Sequence, residues 1–231
     1  MKEFTIEHTP AEIVKIFPKA SDLFKVKQID YCCGGDKPLS EVFSENEALD
    51  KDQILNELNR AYEDWSKEDH KLIDWDTVPL SQLVDHIMQT HHNYLYDELP
   101  ALGEFVTKIF RVHGSSDTHL KELHRLYNEF KLEMEEHSVK EDQEVFPLIK
   151  EYDQNPSPEL LQKIRVANGE LEEEHDAVGE LLKRMRVITD GFTPPPHACG
   201  SYRITYARLA EMEDNTFQHV HLENNILFKQ L

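Results

Sequence analysis

The 231-residue chain is short of cysteine, of basic residues and of long apolar runs, and each shortage narrows what it can do. Three cysteines, two of them adjacent at Cys32 and Cys33, make no disulfide framework, so the fold must rest on a packed core. No apolar run approaches the ~20 residues of a membrane-spanning helix. The opening MKEFTIEHTPAEIVKIF lacks a secretory apolar region and carries acids too early for a transit peptide, so a cytoplasmic protein is expected. Only 25 Lys and Arg stand against 45 Asp and Glu, a formal net charge of −20. Nucleic acid and anionic membrane surfaces are disfavoured as partners, because no basic stripe offsets that field. Alternating strand patterns are missing too, and the length suffices for a sizeable core.

What is present is helical period. Thr9-Pro10-Ala11-Glu12 is a capping-box start with proline at the first helical position. Asp50-Lys51-Asp52-Gln53 opens another helix, and the turn Tyr31-Cys32-Cys33-Gly34-Gly35-Asp36 lies between, its paired glycines permitting positive φ. Residues 1–65 thus read as a small helical domain and the charged, aperiodic stretch 66–78 as a linker. Across 79–231 four long helices are expected, over roughly 80–112, 117–150, 158–189 and 201–229. Pro100 marks a kink and Pro147 a disturbed last turn. The expected fold class is all-α, a four-helix bundle behind a small N-terminal unit carrying the two cysteines.

Two segments organise the bundle. His137 and Glu141, and again His219 and Glu223, stand four residues apart, so on a helix both side chains of a pair reach one point. Both pairs fall inside the apolar stripe of their own helix. Leu123, Tyr127, Phe130 and Met134 lead to the first pair, with Val145 and Leu148 beyond it; Leu209, Met212 and Thr216 lead to the second. A carboxylate on a core-facing stripe is costly unless something compensates it. A single such pair proves little, and His8 with Glu12 repeats the spacing, but Pro10 leaves His8 outside its helix. The larger repeat carries more weight. His92 precedes His137 by 45 residues and His175 precedes His219 by 44, so each half supplies a lone histidine and then His-x3-Glu.

Two facing hairpins then point four histidines and two glutamates inward: His92, His137, Glu141, His175, His219 and Glu223. Structural zinc prefers four closed ligands, often with cysteine, whereas six such donors give each of two ions two histidines with bridging carboxylates. Iron is the expected metal. His8, His70, His113, His119, His124 and His197 read as ordinary hydrogen-bonded histidines. His91, about 100° round the helix from His92, reads as a flanking residue, and His86 and His221 as facing away from the centre. Cys32 and Cys33 read either as small buried turn residues or as accessible thiols for a soft metal or redox chemistry. Cys199 reads as a packing residue.

These residues resemble the repair-of-iron-centres (ScdA/YtfE) family. The resemblance rests on Asp30-Tyr31-Cys32-Cys33-Gly34-Gly35, His137-x3-Glu141 with Phe146-Pro147, Glu174-His175-Asp176, Pro194-Pro195-Pro196 with Cys199, and His219-x-x-Leu222-Glu223-Asn224-Asn225. It implies a hemerythrin-like bundle with two iron ions as an oxo-bridged centre, the six residues above as ligands, and Glu141 and Glu223 as bridges. It also implies a cytoplasmic stress protein acting on apo or damaged iron–sulfur proteins, with Cys32 and Cys33 in transfer or redox steps. His91 stands where an aromatic can occur in the family, and His221 where a small polar residue does. The alternatives are an O2- or NO-binding sensor and an NO reductase. Oligomeric state is left open, a homodimer included.

Overall fold

A computed structural model describes residues 3–68, 70 and 73–231, so Asp69, Lys71 and Leu72 of the expected linker lie outside the described residues. The helix α1 (Pro10–Ile16) begins as its sequence dictates. Thr9 Oγ1 accepts from the Glu12 amide at 3.2 Å, and the Glu12 carboxylate accepts from the Thr9 amide at 3.0 Å. Three more helices complete the N-terminal unit: α2 (Ala20–Val26), α3 (Leu39–Glu45) and α4 (Lys51–Trp65). Asp50 caps α4 by accepting from the Gln53 amide at 3.0 Å. Neither Gly34 nor Gly35 takes the expected positive φ. Gly35 is required by close approach instead, since a Cβ there would stand 2.4 Å from the Tyr31 carbonyl oxygen.

The rest of the chain builds the bundle from α5 (Leu80–Ile87), α6 (Asn93–His113), α7 (His119–Lys140), α8 (Phe146–Gln154), α9 (Pro158–Ile188) and α10 (Gly200–Leu222). The all-α expectation holds, with no strand among the described residues. The helix expected over 158–189 runs unbroken as α9, and α6 continues through Pro100. The other three expected helices each contain one π-helical turn: Met88–His92, Glu141–Val145 and Glu223–Leu227. Pro147 stands just after the second turn, at the second position of α8, and supplies no N–H to the helix there.

A π turn closes its hydrogen bonds one residue later than an α turn, so it shifts the phase of everything after it. Leu148, expected on the core stripe, is only half-buried, while Ile149 is buried in its place. On the first arm Met88, at helical spacing from His92, is half-buried while Ile87 is buried. The apolar core forms two layers. One holds Leu95, Leu99, Phe130, Met134, Val178 and Met212; the other holds Val84, Ile87, Val145, Ile149, Leu171 and Leu227. Between them, on every arm, lie the histidines and glutamates. The N-terminal unit has its own core around Phe4, Ile13, Phe17, Phe24 and Leu58, and that core closes onto Val220 and Phe217 of α10.

Phe130 is fully buried in the first layer, so Phe130→Ala should cost about 3–5 kcal/mol through lost burial and a residual cavity. Val139, 42% exposed on the same helix, should tolerate alanine within ~0.5 kcal/mol. Paired urea melts check this, and similar losses for both would mean that α7 does not present this face to the core.

Candidate metal centre

All six predicted side chains converge in the polar layer and are buried. His92 Nε2 lies 3.1 Å from His219 Nε2 and 3.2 Å from Glu141 Oε2, and His219 Nε2 lies 2.8 Å from Glu223 Oε1. Opposite them, His137 Nε2 lies 3.0 Å from His175 Nε2 and 3.2 Å from Glu141 Oε2, and His175 Nε2 lies 3.1 Å from Glu223 Oε2. Two ligand-type groups result, His92–Glu141–His219–Glu223 and His137–Glu141–His175–Glu223, which share both carboxylates.

These spacings are those of donors around a common cation. Two donors ~2.1 Å from one octahedral ion stand about 3.0 Å apart, as the two imidazole pairs do here. Both oxygens of Glu141 and Oε2 of Glu223 are buried with no hydrogen-bond partner. Ring nitrogens come within 3.2 Å of them yet are misdirected for hydrogen bonding, because the groups aim at shared points between the helices. A buried carboxylate left so is strongly unfavourable unless a cation takes its place among the partners. Nitrogen and oxygen donors with no thiolate suit a first-row ion such as iron.

The π turns fall at the level of the centre. Glu141 and Glu223 each open one, and His92 closes the third. Outer partners then orient the rings. His92 Nδ1 meets Asp142 Oδ1 at 2.7 Å, and the Tyr96 hydroxyl donates to the other Asp142 oxygen at 2.8 Å. His137 Nδ1 meets Glu174 at 2.8 Å, which Lys140 clasps, and His175 Nδ1 meets Asn224 Oδ1 at 2.8 Å. Such partners hold each ring's other nitrogen toward the centre and raise its basicity. The sequence reading did not assign roles to Asp142, Glu174 or Asn224. A signal existed, since each is the chain neighbour of a candidate ligand: Glu141, His175 and Glu223.

His91 and His221, read as facing elsewhere, are buried but belong to neither group. His91 stacks on His219, ring centroids 5.6 Å apart, and contacts Asn215 through Nδ1 at 3.2 Å. His221 Nδ1 reaches the Tyr31 carbonyl at 3.3 Å. His86 packs against Trp75, 4.6 Å between ring centroids. The cysteine turn packs directly against the bundle. Cys33 Sγ lies 3.6 Å from the His175 carbonyl oxygen, and Asn225 donates to the Cys32 carbonyl at 2.8 Å. Cys32 is buried and Cys33 half-buried, so neither is an open thiol. Cys199, expected to pack, is exposed, its Sγ 3.3 Å from His113 Nε2.

The electrostatics follow from this crowding. Burial pulls His92 down, but Asp142 and Glu141 outweigh it and raise its pKa to about 9. Burial likewise opposes His137, which Glu141 and Glu174 raise to about 10. The bond from His137, against burial and with help from Lys140, lowers Glu174 to about 2. Burial alone dominates His91 and His221, both depressed to about 4.

Residues 83–231 match the hemerythrin HHE cation binding domain, and residues 6–62 match the ScdA N-terminal domain of unknown function. The chain is 34% identical over 227 residues to the iron–sulfur cluster repair protein ScdA of Staphylococcus epidermidis, covering 98% of this chain and 99% of that one. It is 36% identical over 217 residues to the iron–sulfur cluster repair proteins YtfE of Citrobacter koseri and Escherichia coli O81, covering 94% of this chain and 93% of each. The chain belongs to the ScdA/YtfE family of hemerythrin-type proteins. As a member of the ScdA/YtfE family it binds iron, and the two His/Glu groups are residues that fit such an ion. No described helix of this ScdA/YtfE chain is long and apolar enough to cross a membrane.

Raised histidines carry a pH signature. With unfolded values near ~6.5, the metal-free protein gains stability from His92 and His137 in full below that pH. It should lose that stability as pH rises through about 9 to 10. Metal must displace the same protons, so loading at neutral pH should release protons and flatten the alkaline loss. Indicator titration in weak buffer and melting curves of both forms test this, and uptake without proton release would contradict it.

Proposed function

We propose that this protein repairs iron–sulfur clusters damaged by nitrosative or oxidative stress, supplying iron or electrons from a His4Glu2 di-iron centre. The observation that carries this reading is the pair of interlocked ligand groups sharing Glu141 and Glu223, in a family whose relatives are named for cluster repair. In this proposal His92 and His219 would hold one iron and His137 and His175 the other, with Glu141 and Glu223 available to both. When bound, the metal supplies one-electron chemistry and exchangeable coordination positions. The chain's own residues bury the centre between apolar layers, fix the ring tautomers through Asp142, Glu174 and Asn224, and hold protons on His92 and His137 until metal displaces them. The division into 1–65, a linker at 66–78 and 79–231 belongs to this reading, as do a cytoplasmic location and apo or damaged iron–sulfur proteins as partners.

Freshly purified protein should carry close to two irons per chain, with a near-ultraviolet absorption of an oxo-bridged pair. His137→Ala and His219→Ala should each lose metal and melt lower. A ligand present at a hundred times its dissociation constant contributes about 2.7 kcal/mol to the native state. Normal iron content in both variants would refute the ligand assignment.

Reduction lowers the charge on iron and weakens its hold by ligands. The reduced protein should therefore pass iron to an apo-ferredoxin supplied with sulfide faster than the oxidised protein does, followed as cluster reassembly. Negligible transfer from both states, with tight reversible O2 or NO binding, would favour a sensor or an NO reductase instead.

A further inference from the structure

Beyond the His/Glu centre, the described residues bring together a third set of ligand-type side chains: Asp30, Cys32 and Cys33. The two sulfurs are 3.7 Å apart, and Cys32 Sγ is 3.4 Å from Asp30 Oδ1. Two thiolates ~2.3 Å from one tetrahedral ion stand about 3.8 Å apart, and a thiolate and a carboxylate oxygen about 3.6 Å apart. Both separations in the turn fall within ~0.2 Å of those edges, so binding would require little movement.

The surroundings meet the other requirements of a cation site. Asp30 Oδ1 accepts from the amides of Cys32 and Cys33, both at 3.0 Å, which fixes the carboxylate against the thiols. Its Oδ2 accepts from Lys183 Nζ at 3.1 Å. Two thiolates and a carboxylate around a dication leave one negative charge, which the Lys183 ammonium offsets. A cavity of about 200 Å³, bordered by Asp30, Tyr31, Cys32, Lys183 and Phe217, leaves room beside Asp30 and Cys32 for a fourth ligand. Three protein ligands with an open position are the arrangement of a site that exchanges its ion or ligand, rather than a closed structural one.

We propose that Asp30, Cys32 and Cys33 form a second cation site, for a thiophilic divalent ion such as Fe²⁺, seated against the helix that carries His175. Loading exchanges two thiol protons, released to solvent, for one dication, and nothing is oxidised or reduced. The contact of Cys33 Sγ with the His175 carbonyl, at 3.6 Å, places this dock beside the backbone of a proposed ligand of the di-iron centre. Its use as the station through which iron leaves rests on the cluster-repair reading; its existence as a site does not.

The test titrates Co²⁺ into the iron-loaded full chain, anaerobically and with a phosphine reductant, after its iron content has been measured. One further equivalent of Co²⁺ should bind, with a thiolate-to-cobalt charge-transfer band in the near ultraviolet and release of protons. The double variant Cys32→Ser/Cys33→Ser should lose both the band and the extra equivalent while keeping its iron and a cooperative melting transition. Cys199→Ser should keep the band. No band in the wild-type protein, a band that survives the double substitution, or one lost in Cys199→Ser would each overturn the proposal. Failure of the cluster-repair reading would appear separately, as iron missing from the bundle before any cobalt is added.

Discussion

Two fully buried carboxylates, Glu141 and Glu223, set the terms for this structure. Nothing in an apolar bundle can hold them except opposite charge at close range, and four imidazoles crowd round them at 2.8–3.7 Å. Glu141 helps to raise both His92 and His137, so protons on those two rings supply opposite charge in the metal-free chain. The same six side chains form an electrostatic core whose two groups have the composition and spacing to hold a metal ion. Apolar layers on either side keep water from relieving the need for opposite charge.

The helices bend their own regularity to meet that demand. A strictly α-helical arm would keep the phase of its stripe, whereas the π turns at Met88–His92, Glu141–Val145 and Glu223–Leu227 shift it at the level of the centre. The outer partners use the same economy of position. Asp142, Glu174 and Asn224 each sit beside a candidate ligand on one arm and orient a ring on another, so the arms are cross-linked by short polar contacts at a single level.

The N-terminal unit is joined to this layer more closely than its sequence separation suggests. Tyr31 packs its ring against Phe217 and His221, the Cys32 carbonyl accepts from Asn225, and Val220 completes the unit's apolar core. The result places a dithiol turn against α9 and α10 at the level of the histidines. The charged linker sets only the order of the two parts along the chain; apolar closure onto α10 sets where they meet.

The residues by themselves determined the helical class, the capping of α1 and α4, the unbroken run of α9 and the six side chains that converge. Those properties depend on local period, on caps, and on a His-x3-Glu spacing that works within one helix. The tertiary structure alone decided the rest. The slip from Met88 to Ile87 and from Leu148 to Ile149 comes from the π turns, which a stripe of α-helical spacing does not announce. Burial of His91 and His221 follows from that slip and from the seating of the cysteine turn. Pairing of His92, His137 and His175 with Asp142, Glu174 and Asn224 spans 50, 37 and 49 residues, a distance at which one chain's sequence carries neighbourhood but not contact.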